Sequence, residues 1–137
     1  MSIQEVSGEL IEDFELFEDW ADKYEYIISL GKDLQSMNAS DKTDDNIVKG
    51  CQSQVWLTAR NEAGIVFFDA DSDAIITKGI IALLVKVFNG QSAKDILNND
   101  LTFIDQIGLK EHLSPNRSNG LVAMVQKMKT YALAFSK

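Results

Sequence analysis

The chain has 137 residues, 45% of them hydrophobic, which is enough apolar material for a single domain with its own core. The 21 acidic residues outnumber the 13 Lys and Arg and give a net charge of −8, which disfavours binding to nucleic acid or to membrane surfaces. One cysteine and one histidine exclude an internal disulfide and fall short of the several ligands that a zinc or iron–sulfur centre needs.

These properties predict a soluble protein of the cytoplasm. Residues 1–15 lack a basic region followed by an apolar run, so they do not resemble a signal peptide. The longest apolar stretch, 74–88, is interrupted by Lys78 and Lys86 and is shorter than the about 20 residues that cross a bilayer. The absence of a cysteine pair suits a reducing compartment. The acidic balance favours solubility, or an acidic face that docks on a basic partner.

Two helices are predicted in the N-terminal part. Ser7 would cap a helix that continues to Glu18, and Asp19 would cap the next one. Gly31 lies inside the second helical pattern, which indicates close packing at that point. The apolar residues at helical spacing are Leu10, Ile11, Phe14 and Phe17 in the first helix and Trp20, Tyr24, Ile27, Ile28 and Leu34 in the second.

A polar loop, 37–45, is followed by three short runs that are typical of strands. The connections between the runs are short enough for hairpins, so the simplest sheet is an antiparallel meander of three strands. The predicted strands are 46–49, 53–60 and 64–70, joined by Gly50-Cys51-Gln52 and by residues 61–64.

Three more helices are predicted after the sheet. Ser72 would cap a helix that ends at Phe88 and is the most buried element, Ser92 a shorter one, and Ser114 the last one, which ends near Phe135. Helices before and after an antiparallel sheet predict a single α+β domain over 1–137, with a three-stranded sheet and helices packed on one face. The expected packing positions are Ile75, Ile76, Ile80, Leu83, Leu84 and Val87 in the first of these helices and Leu121, Met124, Val125, Met128 and Leu133 in the last.

Several polar residues have a simple structural interpretation. Asp69, Asp71 and Asp73 alternate where strand meets helix, and their simplest role is to cap the helix and complement its dipole. They lack the bidentate Glu and the spacing of a calcium loop. His112 precedes a helix cap and is expected to be a solvent-exposed loop residue. No glycine-rich phosphate-binding motif is present.

Cys51 is the remaining candidate for chemistry. A lone cysteine is more often a small buried hydrophobic residue than a nucleophile. Here it is flanked by Gly50 and Gln52 at a predicted turn, where a side chain is accessible and mobile. Lys49 is close enough in sequence to favour the thiolate. The residues by themselves leave the structural and the reactive interpretation equally open.

Motifs on both sides of Cys51 add to this context. The segment Asn46-x-Val48-x-Gly50-Cys51-x-Ser53-x-Val55-Trp56 is followed by Ala70-Asp71-Ser72-Asp73-Ala74 and Lys78-Gly79. Leu30-Gly31-Lys32-x-Leu34 precedes it, and Leu113-Ser114-x-x-Arg117-x-Asn119-Gly120-Leu121 follows it. In this order and spacing, from about Trp20 to Ala132, the motifs resemble the SufE family of cysteine-desulfurase sulfur acceptors, which includes CsdE.

The resemblance implies a function. Cys51 would accept a sulfane sulfur from the persulfide of a pyridoxal-phosphate cysteine desulfurase of the SufS or CsdA type and would stimulate that enzyme. The sulfur would then pass to iron–sulfur cluster assembly machinery such as the SufBCD scaffold. The resemblance also implies an IscU-like fold, no cofactor of the chain's own, and no autonomous enzyme activity. It leaves open whether the chain is a SufE or a CsdE, and whether it forms a homodimer.

The expected site is centred on Cys51, sheltered at rest by apolar side chains that slow its oxidation, and able to swing out on docking. Val55 and Trp56 are expected in the sheet core. Arg117 could pair with an acidic group or orient the Cys51 loop, and the alternative is that it forms a structural ion pair. The expected supporting or partner-contacting residues are Gly50, Gln52, Ser53, Asp73 and Arg117.

Two other functions stay open at this point. The chain could be a binding module that activates the desulfurase without covalent chemistry, with Cys51 incidental. It could also be a thiol hydrolase, which requires a base beside Cys51 and is the least supported because His112 is the only histidine.

Overall fold

The computed structural model describes residues 2–35 and 37–136. Its elements are helices α1 (Ile3–Glu15) and α2 (Trp20–Asp33), strands β1 (Val55–Glu62) and β2 (Ile65–Ser72), helix α3 (Ile75–Phe88), strand β3 (Gln91–Ser92), and helices α4 (Ala93–Leu97), α5 (Thr102–Gln106) and α6 (Pro115–Phe135). Short 3₁₀ turns cover Ala39–Asp41, Asp44–Asn46 and Lys110–His112. The three-stranded antiparallel sheet with helices before and after it confirms the predicted α+β class.

Helix α3 forms the centre of the core. Ten of its 14 residues are buried, which confirms that it is the most buried of the described elements, and it packs on α1, α2, α6 and β2. The first turn of α3 is less buried than the rest of the helix. Ile75, which was expected on the packed face, is 68% exposed. Continuous burial begins only at Gly79, so the first turn of α3 remains available to line a surface groove.

Helices α2 and α3 approach each other through two glycines, as the position of Gly31 indicated. A Cβ atom on Gly31 would lie 2.9 Å from the backbone nitrogen of Gly79. A Cβ atom on Gly79 would lie 2.3 Å from the carbonyl oxygen of Ile27. Real Cβ atoms do not approach backbone atoms this closely, so any larger residue at either position would push the two helices apart.

We expect Gly79→Ala to lower the free energy of unfolding by about 2 kcal/mol or more, because overpacking outweighs the gain in helix propensity. The matched control is Gly8→Ala in α1, where no atom lies within 4 Å of an added Cβ. That substitution should raise stability by about 0.5–1 kcal/mol. Urea denaturation measures both values, and a neutral Gly79→Ala variant would contradict the tight contact between α2 and α3.

The sheet agrees with the prediction in its hairpin and differs in its third strand. Strands β1 and β2 pair from Val55↔Ser72 to Glu62↔Ile65, and the connecting residues Ala63 and Gly64 both have positive φ, at 53° and 88°. This is the backbone conformation of a tight two-residue hairpin turn.

The predicted strand 46–49 is wrong. Only Ile47 makes an isolated antiparallel bridge, to Trp56, because the preceding residues form a 3₁₀ turn. The third strand is instead β3, where Gln91 pairs with Val66 after Gly90, at φ 76°, turns the chain back to the sheet.

The helices cover one face of the sheet. The buried face carries Val55, Leu57, Val66, Phe68 and Ala70. Val55 is therefore in the core as expected, but Trp56 is not, because side chains alternate along a strand and Trp56 lies on the opposite, partly exposed face. There the ammonium of Lys42 lies 5.6 Å from the centre of its ring.

The helix caps were predicted with mixed success. Asp19, Ser92 and Ser114 cap α2, α4 and α6 as expected. Ser7 is not a cap, because Ser2 and Glu5 form a reciprocal capping box that starts α1 earlier. The helix ends at Glu15 rather than Glu18, which leaves 16–18 as the connection to α2.

Other details of the later helices also differ from the prediction. Ser72 belongs to β2, and its hydroxyl accepts a hydrogen bond from the backbone NH of Ala74 without capping α3. Leu133 is 51% exposed and does not pack in the core, where Ala132 is buried instead. Helix α5 was not predicted, because its five residues are too few to show a helical period.

Candidate functional site

Cys51 lies in a loop between the Ile47 bridge and β1, and the loop rests on α6. Gly50 has φ 98°, a backbone conformation that favours glycine, and this turns the chain so that the next side chain points to α6. The Cys51 thiol donates a weak hydrogen bond to the carbonyl oxygen of Gly120 at 3.6 Å. A Cβ atom on Gly120 would lie 3.3 Å from Cys51 Sγ, so glycine at 120 makes room for the sulfur.

The resting thiol is half-buried against the hydrophobic core, as the sequence predicted. Burial raises the pKa of the Cys51 thiol, because the thiolate would lose its hydration. The prediction that Lys49 favours the Cys51 thiolate is wrong for this conformation. Lys49 is exposed and lines a separate groove with Ala123 and Lys127, and desolvation is the cause of the shift at Cys51.

A groove of about 620 Å³ opens beside the thiol. It lies between the Cys51 loop, the first turn of α3 and the first turns of α6. Four of the five predicted supporting residues line it, and only Gly50 does not. The predicted residues that meet here, with Cys51 itself, are Gln52, Ser53, Asp73 and Arg117.

The loop is tied to its surroundings on both sides of the groove. The side chain of Asn116 donates a hydrogen bond to the side-chain oxygen of Gln52 at 3.1 Å. On the other side, Asp73 Oδ1 accepts a hydrogen bond from the backbone NH of Gln54 at 3.1 Å, and the backbone NH of Asp73 donates to the carbonyl of Gln54 at 3.2 Å. Gln52 and Asp73 therefore fix the loop in its resting position.

The three alternating aspartates do not cap α3, contrary to the prediction. The cap residue is Ala74, which has no capping side chain. Asp69 pairs with Arg60 at 3.4 Å, Asp71 pairs with two lysines, and Asp73 holds the Cys51 loop.

Arg117 projects into the groove without an ionic partner. Its backbone NH donates to the hydroxyl of Ser114, which is the cap of α6. Within the described chain its guanidinium has no carboxylate within 4.0 Å, so the structural ion pair that was the alternative for Arg117 is absent there. Arg60, the other arginine, pairs with Glu62 and Asp69. Arg117 thus offers a positive charge in the groove that forms no ion pair with a described carboxylate.

Several residues of the groove were not predicted as part of the site. Ile75 and Thr77 come from the start of α3, and Asn116, Gly120 and Met124 from α6. The helical spacing of Ile75 predicts a core position and gives no sign of its exposure. Asn116 and Gly120 lie within the motif around Arg117, and this position was the only sequence feature that could have indicated them.

His112 is exposed, as predicted, and does not line the groove. Its ring stacks on Trp20 with 3.9 Å between centroids. Among residues 2–35 and 37–136, no group of three or more His, Cys, Asp or Glu side chains is arranged to hold a metal ion. Over the same residues, no helix is both long and apolar enough to span a membrane.

The fold and the groove define an α+β domain with a single sheltered thiol. The chain matches the family described as "SufE: Fe-S metabolism associated domain" over residues 8–132. It is 40% identical over 129 residues to an uncharacterized SufE-like protein of Rhizobium meliloti (strain 1021), with 90% of this chain and 92% of that protein covered. The chain therefore belongs to the SufE family, which is associated with iron–sulfur metabolism, and the resemblance seen in its motifs is confirmed.

A solved structure supports the fold independently. The solution structure of a hypothetical protein from Thermus thermophilus matches with a TM-score of 0.79 over 96% of each chain. The identity is 19%, so this likeness concerns the architecture and not the activity.

We expect alkylation of Cys51 by iodoacetamide to show its inflection above the ordinary cysteine pKa of about 8.5, because burial favours the neutral thiol. The alkylation rate should therefore rise at a higher pH in the folded protein than in the same chain in denaturant. Cys51 is the only cysteine, so the label reports on this thiol alone. An inflection at or below the value in denaturant would contradict the sheltered resting state.

Proposed function

We propose that the protein is a sulfur carrier that accepts a persulfide sulfur on Cys51 from a cysteine desulfurase of the SufS or CsdA type, stimulates that enzyme, and delivers the sulfur for iron–sulfur cluster assembly. The observation that carries the proposal is a thiol held at the edge of an open groove by a short loop, in a chain of the SufE family. The chain has no second cysteine, so the persulfide cannot collapse to an internal disulfide.

The chemistry needs one thiolate and one sulfur–sulfur bond. The Cys51 thiolate attacks the outer sulfur of the desulfurase persulfide, a bond forms between the two sulfurs, and the bond inside the donor persulfide breaks. The desulfurase cysteine leaves as a thiolate. The transferred sulfur, with the proton that it carries, is then the outer sulfur of a new persulfide on Cys51. No external oxidant or reductant is required, because the transferred sulfur keeps its oxidation state.

The resting geometry supports storage and protection of the thiol. Half-burial and a raised pKa keep Cys51 mostly protonated, which slows oxidation because the thiolate is the reactive species. Transfer requires the opposite condition, an exposed thiolate in contact with the partner. Release of the thiol from Gly120 and of Gln52 from Asn116 on docking would provide it.

The rim of the groove has features suited to a protein partner. Ile75 is 68% exposed and offers an apolar contact, and Arg117 offers its positive charge for an acidic group of the desulfurase. The net charge of −8 would also favour approach to a partner with a basic face. Pyridoxal phosphate is needed only by the partner in this scheme. The downstream acceptor in the proposal is a SufBCD-type scaffold.

Intact mass spectrometry tests the covalent step directly. After incubation with a cysteine desulfurase and L-cysteine, we expect the protein to gain the mass of one sulfur atom, which dithiothreitol removes. Cys51→Ser should take up no sulfur and should lose nearly all stimulation of the desulfurase. If Cys51→Ser still stimulates as the wild type does, the protein is instead a non-covalent activator in which Cys51 is incidental.

The two arginines provide a matched pair for testing the docking surface. We expect Arg117→Gln to raise the KM of the desulfurase for this protein about three- to ten-fold, as for loss of one charged hydrogen bond. Arg60→Gln removes the same charge away from the groove and should change KM less than about two-fold, as expected for an exposed ion pair. Equal effects of the two substitutions would show that only net charge matters.

A further inference from the structure

We propose that Asp71 is a positioning residue for the Cys51 loop, holding through Lys42 the chain segment that leads into it. The inference rests on the proposed function in one respect, because it assumes that residues 49–53 must leave the groove while the rest of the fold stays in place. Neither Asp71 nor Lys42 lines the groove, so the two act on Cys51 only through the backbone.

Asp71 is a buried carboxylate that connects three parts of the chain. It is 7% exposed and lies on β2. Its Oδ2 atom is 2.6 Å from Lys42 Nζ, and its Oδ1 atom is 3.3 Å from Lys78 Nζ on α3. Oδ1 also accepts a hydrogen bond from the backbone NH of Ser72 at 2.8 Å. These contacts join the strand, the central helix and the segment before the Cys51 loop.

The electrostatics at Asp71 favour its contact with Lys42. Burial by itself would raise the pKa of Asp71, but the hydrogen bonds from Lys42, Ser72 and Lys78 outweigh burial and bring the pKa below its ordinary value. Asp71 is therefore ionised near neutral pH. A buried carboxylate is costly when it loses a partner, so detachment of Lys42 from Asp71 is unfavourable.

Lys42 connects Asp71 to the segment that leads into the Cys51 loop. The segment after it forms the 3₁₀ turn Asp44–Asn46, and Ile47 then bridges to Trp56. The backbone NH of Val48 donates to the carbonyl of Val55 at 2.8 Å. Lys42 also lies over the ring of Trp56, the residue opposite Asp71 in the sheet. The upstream end of the loop is thus attached to β1 and β2.

The downstream end has its own attachment. The hydroxyl of Ser72 donates to the carbonyl of Gln54 at 2.8 Å, and Asp73 accepts from the backbone NH of Gln54. The loop 49–53 therefore spans two fixed points, one held through Asp71 and one through Ser72 and Asp73. A loop fixed at both ends can release its thiol from Gly120 and still present it at a defined place.

The two lysines on Asp71 allow a matched experiment. Both pair with the same carboxylate, but only Lys42 is on the segment that leads to Cys51. We expect Lys42→Met to accelerate alkylation of Cys51 about three- to ten-fold, and Lys78→Met less than about two-fold, at equal pH and salt. Lys42→Arg should restore slow alkylation, because a guanidinium can bond to the carboxylate.

Further measurements separate positioning from a general loss of stability. Urea denaturation gives the unfolding free energy of each variant, and amide hydrogen exchange at Val48 should speed up in Lys42→Met and not in Lys78→Met. If Lys42→Met is too unstable to use, Lys42→Gln replaces it in the same comparison.

Equal alkylation rates in Lys42→Met and Lys78→Met, or rates that follow global stability alone, would overturn the role of Asp71. Alkylation requires no partner, so this result is independent of sulfur loading. A protein that fails to take up sulfur but shows the expected difference between the two lysines would contradict the proposed function and leave the positioning role intact.

Discussion

The contact between Cys51 and the start of α6 is the interaction on which the site depends. It places the Cys51 sulfur against a helix whose position is fixed by burial of Leu121, Met124 and Met128. Glycine at 120 allows the sulfur to rest against the helix backbone, and the hydrogen bond to its carbonyl is weak at 3.6 Å. A thiol in this position is half-buried, and its release would break this weak hydrogen bond and the one between Gln52 and Asn116. The rest of the structure provides a closely packed frame around the contacts that hold the Cys51 loop.

The rigidity of that frame comes from the opposite kind of contact. Helices α2 and α3 touch backbone to backbone at Gly31 and Gly79, and α3 is buried along most of its length. Close-packed interiors resist small displacements. The release of the thiol that the proposed function requires would therefore involve the loop 49–53, which lies on the surface of the core.

Sequence patterns predicted those parts of the fold that are specified locally. The caps at Asp19, Ser92 and Ser114 are short-range hydrogen bonds, and the hairpin after Glu62 follows from its turn. Strand β3 could not be found in this way, because its two residues have no period and pair with β2 across the whole of α3. The exposure of Ile75 was missed for a related reason. The helical period shows which face of α3 is apolar, but it does not show how far along that face the packed elements extend.

The candidate site was also predicted only in part. Motifs around Cys51, Asp73 and Arg117 indicated which residues belong to it, and the groove brings them together. Their electrostatics could not be inferred from spacing. Lys49 is two residues from Cys51 but faces another groove, whereas the distant Gly120 is the thiol's hydrogen-bond partner. Burial raises the thiol pKa in the resting fold, so in the proposed function activation would come with exposure of the loop or from the partner's own site. Under the proposed function, the reactivity of Cys51 would then depend on docking, which is a property that a carrier of a labile sulfur atom needs.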